Sequence, residues 1–172
     1  MTDQAVDARL APRDRFVTIH AGFDTQEFLA EPELGATVRQ RLGIPADAFV
    51  VGKLARLAPN KGHEFVLEAM GELMGRQPRL YCLLVGNGTL RSEIEARIKA
   101  MGVSERFRLA GLVERSVVPE MLHAMDMLVH TSLHEGLPLA VVEALIAGLP
   151  VAAFDLDGAK EVIEADKTGY LI

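Results

Sequence analysis

The sequence is short of several things, and each shortage excludes something. Cys82 is the single cysteine, so no intrachain disulfide can form and a cysteine-based zinc site is not expected. There is no long apolar run. The longest, Ala144 to Phe154, is too short to span a membrane and contains Gly148 and Pro150. There is no basic excess either. Eighteen Lys and Arg stand against twenty-four Asp and Glu, a formal net charge of -6. That counts against a broad nucleic-acid-binding surface, although one local pocket can still hold a small anion. The start, Met-Thr-Asp-Gln, lacks the basic residues and apolar core of a signal peptide, so a reducing, cytoplasmic compartment is expected. No internal repeat or low-complexity tract is present.

What remains is ordinary globular material. The 172 residues are 49% hydrophobic and 24% charged, which fits one domain. Residues 1–15 are polar and read as a flexible extension. Phe16 to Phe28 reads as a strand and turn, and Pro32 to Leu42 as a helix ended by Gly43 and Pro45. From Phe49 onward, apolar strands alternate with helical stripes. Strands are expected at Phe49–Leu54, Leu80–Val85, Phe107–Leu109, Met127–His130 and Val151–Phe154. Helices are expected over Lys61–Arg76, along the Leu90, Ile94, Ile98, Met101 stripe, around Val118 to Met125, over Pro138–Ala147 and over Ala159–Glu164. Strands apolar on both sides, each followed by a helix, predict a doubly wound, Rossmann-like parallel α/β sheet covered on both faces.

Ligands of such sheets bind beyond the carboxyl ends of the strands, so the loops there are where chemistry is expected. After the first strand, Arg56 and Lys61 lead into a helix N-terminus, where the dipole and free N–H groups favour an anion. Solvated surface cations are the competing reading, since most Lys and Arg are exposed. After the second strand, Gly86-Asn87-Gly88-Thr89 permits a tight turn and close backbone approach, with Thr89 able to cap the next helix. It lacks the third glycine of the dinucleotide fingerprint, and an empty turn explains it equally well. After the fourth strand come Glu135, Gly136 and Pro138, the last suited to a first helical position. The helix that follows is apolar all round except for Glu143. A buried carboxylate is costly unless paired, so Glu143 either binds an arginine or neighbouring loop, or faces ligand hydroxyls. His20, His63, His123, His130 and His134 show no metal-ligand spacing, and no metal site is expected. No Ser-His-Asp or Cys-His order stands out, and Ser132 lacks the nucleophile elbow.

Taken together, these loops resemble retaining glycosyltransferases of the GT-B fold, in particular glycosyltransferase family 4. Arg56-Leu57-Ala58-Pro59-Asn60-Lys61-Gly62-His63 resembles that family's donor-phosphate loop, and Val85-Gly86-Asn87-Gly88-Thr89-Leu90 its second glycine loop. Glu135-Gly136-Leu137-Pro138-Leu139-Ala140-Val141-Val142-Glu143-Ala144 matches its paired-glutamate motif. Gly148-Leu149-Pro150-Val151, Gly158-Ala159-Lys160-Glu161-Val162-Ile163 and Thr168-Gly169-Tyr170-Leu171 extend the match, which covers roughly residues 16–172. Ala21 stands where asparagine is frequent in the family, and Asn60 where an acidic or amide residue is common.

The resemblance implies transfer of a sugar from a nucleotide diphosphate sugar, UDP- or GDP-linked, to an acceptor hydroxyl with retention and without a metal. It implies that Arg56 and Lys61 bind the diphosphate and stabilise charge on the leaving group. Glu135 would contact donor-sugar hydroxyls and Glu143 the ribose. Backbone at Gly136, Leu137 and Leu139 would hold phosphate or sugar, with Gly86 and Gly88 in the second loop. Leu112 and Val113 would meet the base. No separate cofactor is implied. His20 to Phe28 resembles the segment where the chain enters the second GT-B domain, and the chain ends before that family's terminal helices. Residues 16–172 are therefore expected to be a donor-binding domain, inactive alone, whose carbohydrate or lipid-linked acceptor binds a preceding domain. The exposed surface could drive self-association, and the full-length protein could sit at the inner face of a membrane. A non-catalytic interaction module and an epimerase-like domain on the same fold are the alternatives.

Overall fold

The computed structural model describes residues 2–17, 19, 21–29, 32–156 and 158–172. Six strands form one sheet, all parallel, in the order β3-β2-β1-β4-β5-β6. They are β1 (Phe49–Leu54), β2 (Leu80–Val85), β3 (Phe107–Gly111), β4 (Met127–His130), β5 (Val151–Ala153) and β6 (Gly169–Leu171). The helices are α1 (Thr2–Asp7), α2 (Pro32–Arg41), α3 (His63–Arg76), α4 (Arg91–Ala100), α5 (Val118–His123), α6 (Leu139–Ile146) and α7 (Ala159–Val162). This is the doubly wound, Rossmann-like fold expected of the sequence. The strand order reverses between β1 and β4, so their outgoing loops diverge and leave a crevice.

Alternation along each strand explains the two layers. On one face Val50, Leu83 and Leu128 pack with Val38, Leu122, Val141 and Ala144 from α2, α5 and α6. On the other, Val51, Cys82 and Leu84 pack with Val66, Met70, Ile94 and Ile98 from α3 and α4. One polar knot ties α2 to the amino ends of β1 and β4. Asp126 accepts from Arg39 at 2.8 Å and from the Val50 N–H at 2.7 Å. Arg39 also donates to the carbonyls of Ala124 and Ala48 at 3.0 and 3.1 Å.

Several boundaries differ from expectation for local reasons. α3 starts at His63, not Lys61, because Asn60 and Gly62 are both left-handed, at φ 66° and 64°. Pro138 is not the first helical residue. Its backbone is extended (φ -76°, ψ 95°) and it precedes α6. Thr89 does not cap α4. Leu90 stands at that position, without a side-chain cap, and its N–H bonds the Leu57 carbonyl. α5 ends at His123 and α7 at Val162. The strand expected within Phe16–Phe28 is absent among the described residues. Val17 and Ile19 are exposed, and the turn lies at residues 25–29. The short β6 was not anticipated: only three residues long, it adds parallel to β5. In the N-terminal segment, α1 meets a single 3-10 turn at Arg13–Arg15, and an exposed Asp3–Arg13 ion pair joins them.

Candidate active site

An open cavity of about 360 Å³ lies beyond the carboxyl ends of β1 and β4. Arg56 and Lys61 reach it from the loop after β1. His130 reaches it from β4, Glu135 and Leu137 from the loop after it, and Leu139 and Ala140 from the start of α6. The opening N–H groups of a helix have no partner within it, so the Leu139 end of α6 adds donors and a partial positive charge.

Glycines set the loops against one another. Gly62 combines φ 64° with a contact no side chain could make: a Cβ there would lie 1.8 Å from the Thr131 carbonyl oxygen. Gly86, at φ 136°, similarly abuts the Ala55 carbonyl, at 2.0 Å from a would-be Cβ. Gly88 meets the Leu57 carbonyl in the same way, at 2.3 Å. The Leu57 N–H donates to Asn87 and the Leu133 N–H to Asn60, at 3.0 and 2.9 Å. Gly86 and Gly88 therefore lock the second loop onto the first and do not line the cavity. The Gly136 carbonyl accepts from Gly158 at 3.0 Å, which ties the loop after β4 to the start of α7.

The two cations are placed differently. Lys61 Nζ donates to Glu135 Oε1 at 2.6 Å, with both side chains about four-fifths buried. Burial by itself would raise the Glu135 carboxyl. Hydrogen bonding from Lys61, with the Ser132 hydroxyl, outweighs burial and holds it below the usual carboxylate range. Arg56 is exposed, but its backbone carbonyl accepts from buried His63 Nε2 at 2.8 Å. A carbonyl can only accept, so His63 carries its proton on Nε2. Burial lowers its pKa, which keeps the ring neutral. His130 is also buried and pushed down to about 4, first by burial and then by Lys53.

Glu143 lies one helical turn beyond Leu139, on the same face of α6. It does not line the cavity. It is buried, and Arg115 from the loop after β3 donates to it at 3.1 Å. Burial raises its pKa, and Arg115 opposes the rise. Of the two accounts of this acid, the arginine pairing is present. Leu112 and Val113 stand in the same loop as Arg115, with Leu112 80% exposed. His20 lies outside the described residues. Among the described residues no three His, Cys, Asp or Glu side chains gather to hold a metal ion.

The sequence reading missed Lys53 and Thr131. Lys53, in β1, is 1% exposed and donates to Thr131 Oγ1 at 2.8 Å. The signal was there: a lysine inside an apolar strand raises the same question as Glu143 inside an apolar helix.

Fold and pocket define a Rossmann-like α/β domain with cations and helix N–H groups converging at the strand switch point. The chain belongs to the glycosyl transferases group 1 family, which matches residues 36–172. It is 33% identical over 130 residues to a 2-deoxystreptamine glucosyltransferase of Streptomyces kanamyceticus, covering 75% of the chain and 34% of the relative. It is 32% identical to a 2-deoxystreptamine N-acetyl-D-glucosaminyltransferase of Streptomyces fradiae, covering 100% of the chain and 42% of the relative. Among solved structures, Anabaena Alr3699/HepE in complex with UDP-glucose superposes with a TM-score of 0.88 at 28% identity, over 98% of the chain and 46% of that protein. The chain thus spans less than half the length of these relatives. No helix among the described residues is long and apolar enough to cross a membrane.

Proposed function

We propose that the chain is the donor-binding domain of a family 4 glycosyltransferase, moving a hexosyl group from a nucleotide diphosphate sugar to an acceptor hydroxyl with retention. The observation that carries this reading is the convergence of Arg56, Lys61, Glu135 and the first turn of α6 on one cavity. The relative solved with UDP-glucose supports it. Arg56 and Lys61 bind the diphosphate. When the bond between the sugar's anomeric carbon and the diphosphate oxygen breaks, negative charge develops on that oxygen, and the two cations stabilise it. They supply this charge without a metal ion. When Lys61 exchanges Glu135 for phosphate, the freed carboxylate turns to the donor-sugar hydroxyls.

Gly136, Leu137 and Leu139 present backbone to phosphate and sugar. Glu143 takes the ribose hydroxyls, with Arg115 as its partner, and Leu112 and Val113 meet the base. The donor is UDP- or GDP-linked, and no further cofactor takes part. The acceptor, a carbohydrate or lipid-linked glycan, binds a second domain, so this chain alone turns over little. The working place is the cytoplasm, with the full-length protein at the inner face of a membrane. Calorimetric titration with UDP, GDP, ADP and their sugar conjugates tests the reading. Binding of one base series, lost at least tenfold in the Arg56→Ala, Lys61→Ala double variant, is expected. No binding at millimolar concentration overturns it.

A further inference from the structure

Lys53 is a puzzle that the donor-site roles do not use. An ammonium in a sheet interior is costly unless paired, yet Lys53 is 1% exposed at the carboxyl end of β1. Its ammonium donates to Thr131 Oγ1 at 2.8 Å, and the Thr131 hydroxyl donates onward to the Gly62 carbonyl at 2.6 Å. Gly62 directly follows Lys61. The relay therefore runs from the sheet interior to the backbone that carries a diphosphate-binding cation.

We infer that Lys53 is a buried third cation of the diphosphate site, a positioning residue that acts through Thr131 and Gly62 and takes up a proton when the donor binds. The inference rests on the donor-binding reading above. The charges around Lys53 explain why its proton is sensitive to a ligand. Burial pushes the amine down to about 7. From β2, Cys82 lends no charge, because burial pushes its thiol up to about 12. From β4 and α3, His130 and His63 are neutral. Lys61 disfavours a charged Lys53, while Glu64 and Glu135 favour it. Lys61 and Glu135 are bonded to each other and largely cancel. An incoming diphosphate shifts this balance toward the charged form. The two phosphates of a nucleotide diphosphate sugar are diesters, fully ionised near neutrality, so the donor itself exchanges no proton there.

With a free-chain value of about 7, Lys53 is about one-quarter protonated at pH 7.5. A rise of about one unit on binding would make it about three-quarters protonated, an uptake of about half a proton per donor. At pH 6 the free chain already holds the proton, and uptake vanishes. The test is calorimetry of the wild-type chain with UDP-glucose and GDP-mannose, in two buffers of different protonation enthalpy. Uptake of about half a proton at pH 7.5 and none at pH 6 is expected. Lys53→Met should abolish the uptake and weaken binding about tenfold. The wild-type profile stands as evidence even if that variant fails to fold. Binding without uptake, or uptake that survives Lys53→Met, overturns the inference and leaves the donor-binding reading in place. Failure of the wild type to bind either sugar nucleotide overturns both.

Discussion

Replacing Gly62 by alanine separates two costs that the structure places on one residue. The first is conformational. At φ 64° an L-residue sits in the left-handed region, which costs about 1–2 kcal/mol. The second is steric. The new Cβ would stand 1.8 Å from the Thr131 carbonyl oxygen, where contacts under 3.0 Å are essentially never made. The loop after β1 or the loop after β4 must then move by about 1 Å, and both are backbone. The Thr131–Gly62 hydrogen bond, at 2.6 Å, would be lost in that movement, at about 1 kcal/mol. With at least about 1 kcal/mol more for the displaced backbone, these effects destabilise by about 3–4 kcal/mol. For a chain of this size that is a drop of roughly 6–16 °C in Tm. Gly102 supplies the control, because its φ is 69° but nothing lies within 4 Å of its would-be Cβ. Gly102→Ala therefore carries the conformational cost alone. Thermal and urea unfolding of both variants is the assay. If the two lose equal stability within about 0.5 kcal/mol, the reasoning that glycines interlock the site loops is refuted.

Three further outcomes are expected. Glu143→Gln should hold or raise Tm at pH 7 while weakening nucleotide binding, because the raised carboxyl pKa means burial of the charge opposes folding above the ordinary carboxylate value; a clear fall in Tm contradicts this. Stability should decline as pH falls from 6.5 towards about 4, since the unfolded chain takes up a proton that buried His130 refuses, and His130→Leu should flatten that slope in pH-dependent urea melts. Asp126→Ala should cost about 2 kcal/mol in urea unfolding, because it leaves the largely buried Arg39 guanidinium and the Val50 N–H without their carboxylate. Asp126→Asn should cost less.

The parallel sheet was legible because its strands are continuous apolar runs, and Phe49–Leu54, Leu80–Val85 and Met127–His130 appear with the expected bounds. Helix starts were less legible. Asn60, Gly62 and Pro138 decide them through backbone conformation, which residue type only biases. β6 escaped because Gly169 and the exposed Tyr170 interrupt the apolar run that marked the other strands. The cavity brings together Arg56, Lys61, Glu135, Leu137 and Leu139, from the loops after β1 and β4 and the start of α6. Gly86 and Gly88 permit close backbone approach, and what they approach is the Ala55 and Leu57 backbone. What no single segment could reveal was the pairing of residues distant in the chain. Lys61 with Glu135, Arg115 with Glu143, and Lys53 with Thr131 each join parts of the chain that only the fold brings together.

The central claim is that one cavity beyond β1 and β4 takes the phosphates of a sugar nucleotide. Amide NMR shifts measured while UDP-glucose or GDP-mannose is titrated into the chain test it most directly. The account predicts saturable shifts concentrated at residues 55–62 and 135–143, abolished in the Arg56→Ala, Lys61→Ala double variant. Saturable shifts centred elsewhere, or unchanged in that variant, would contradict it.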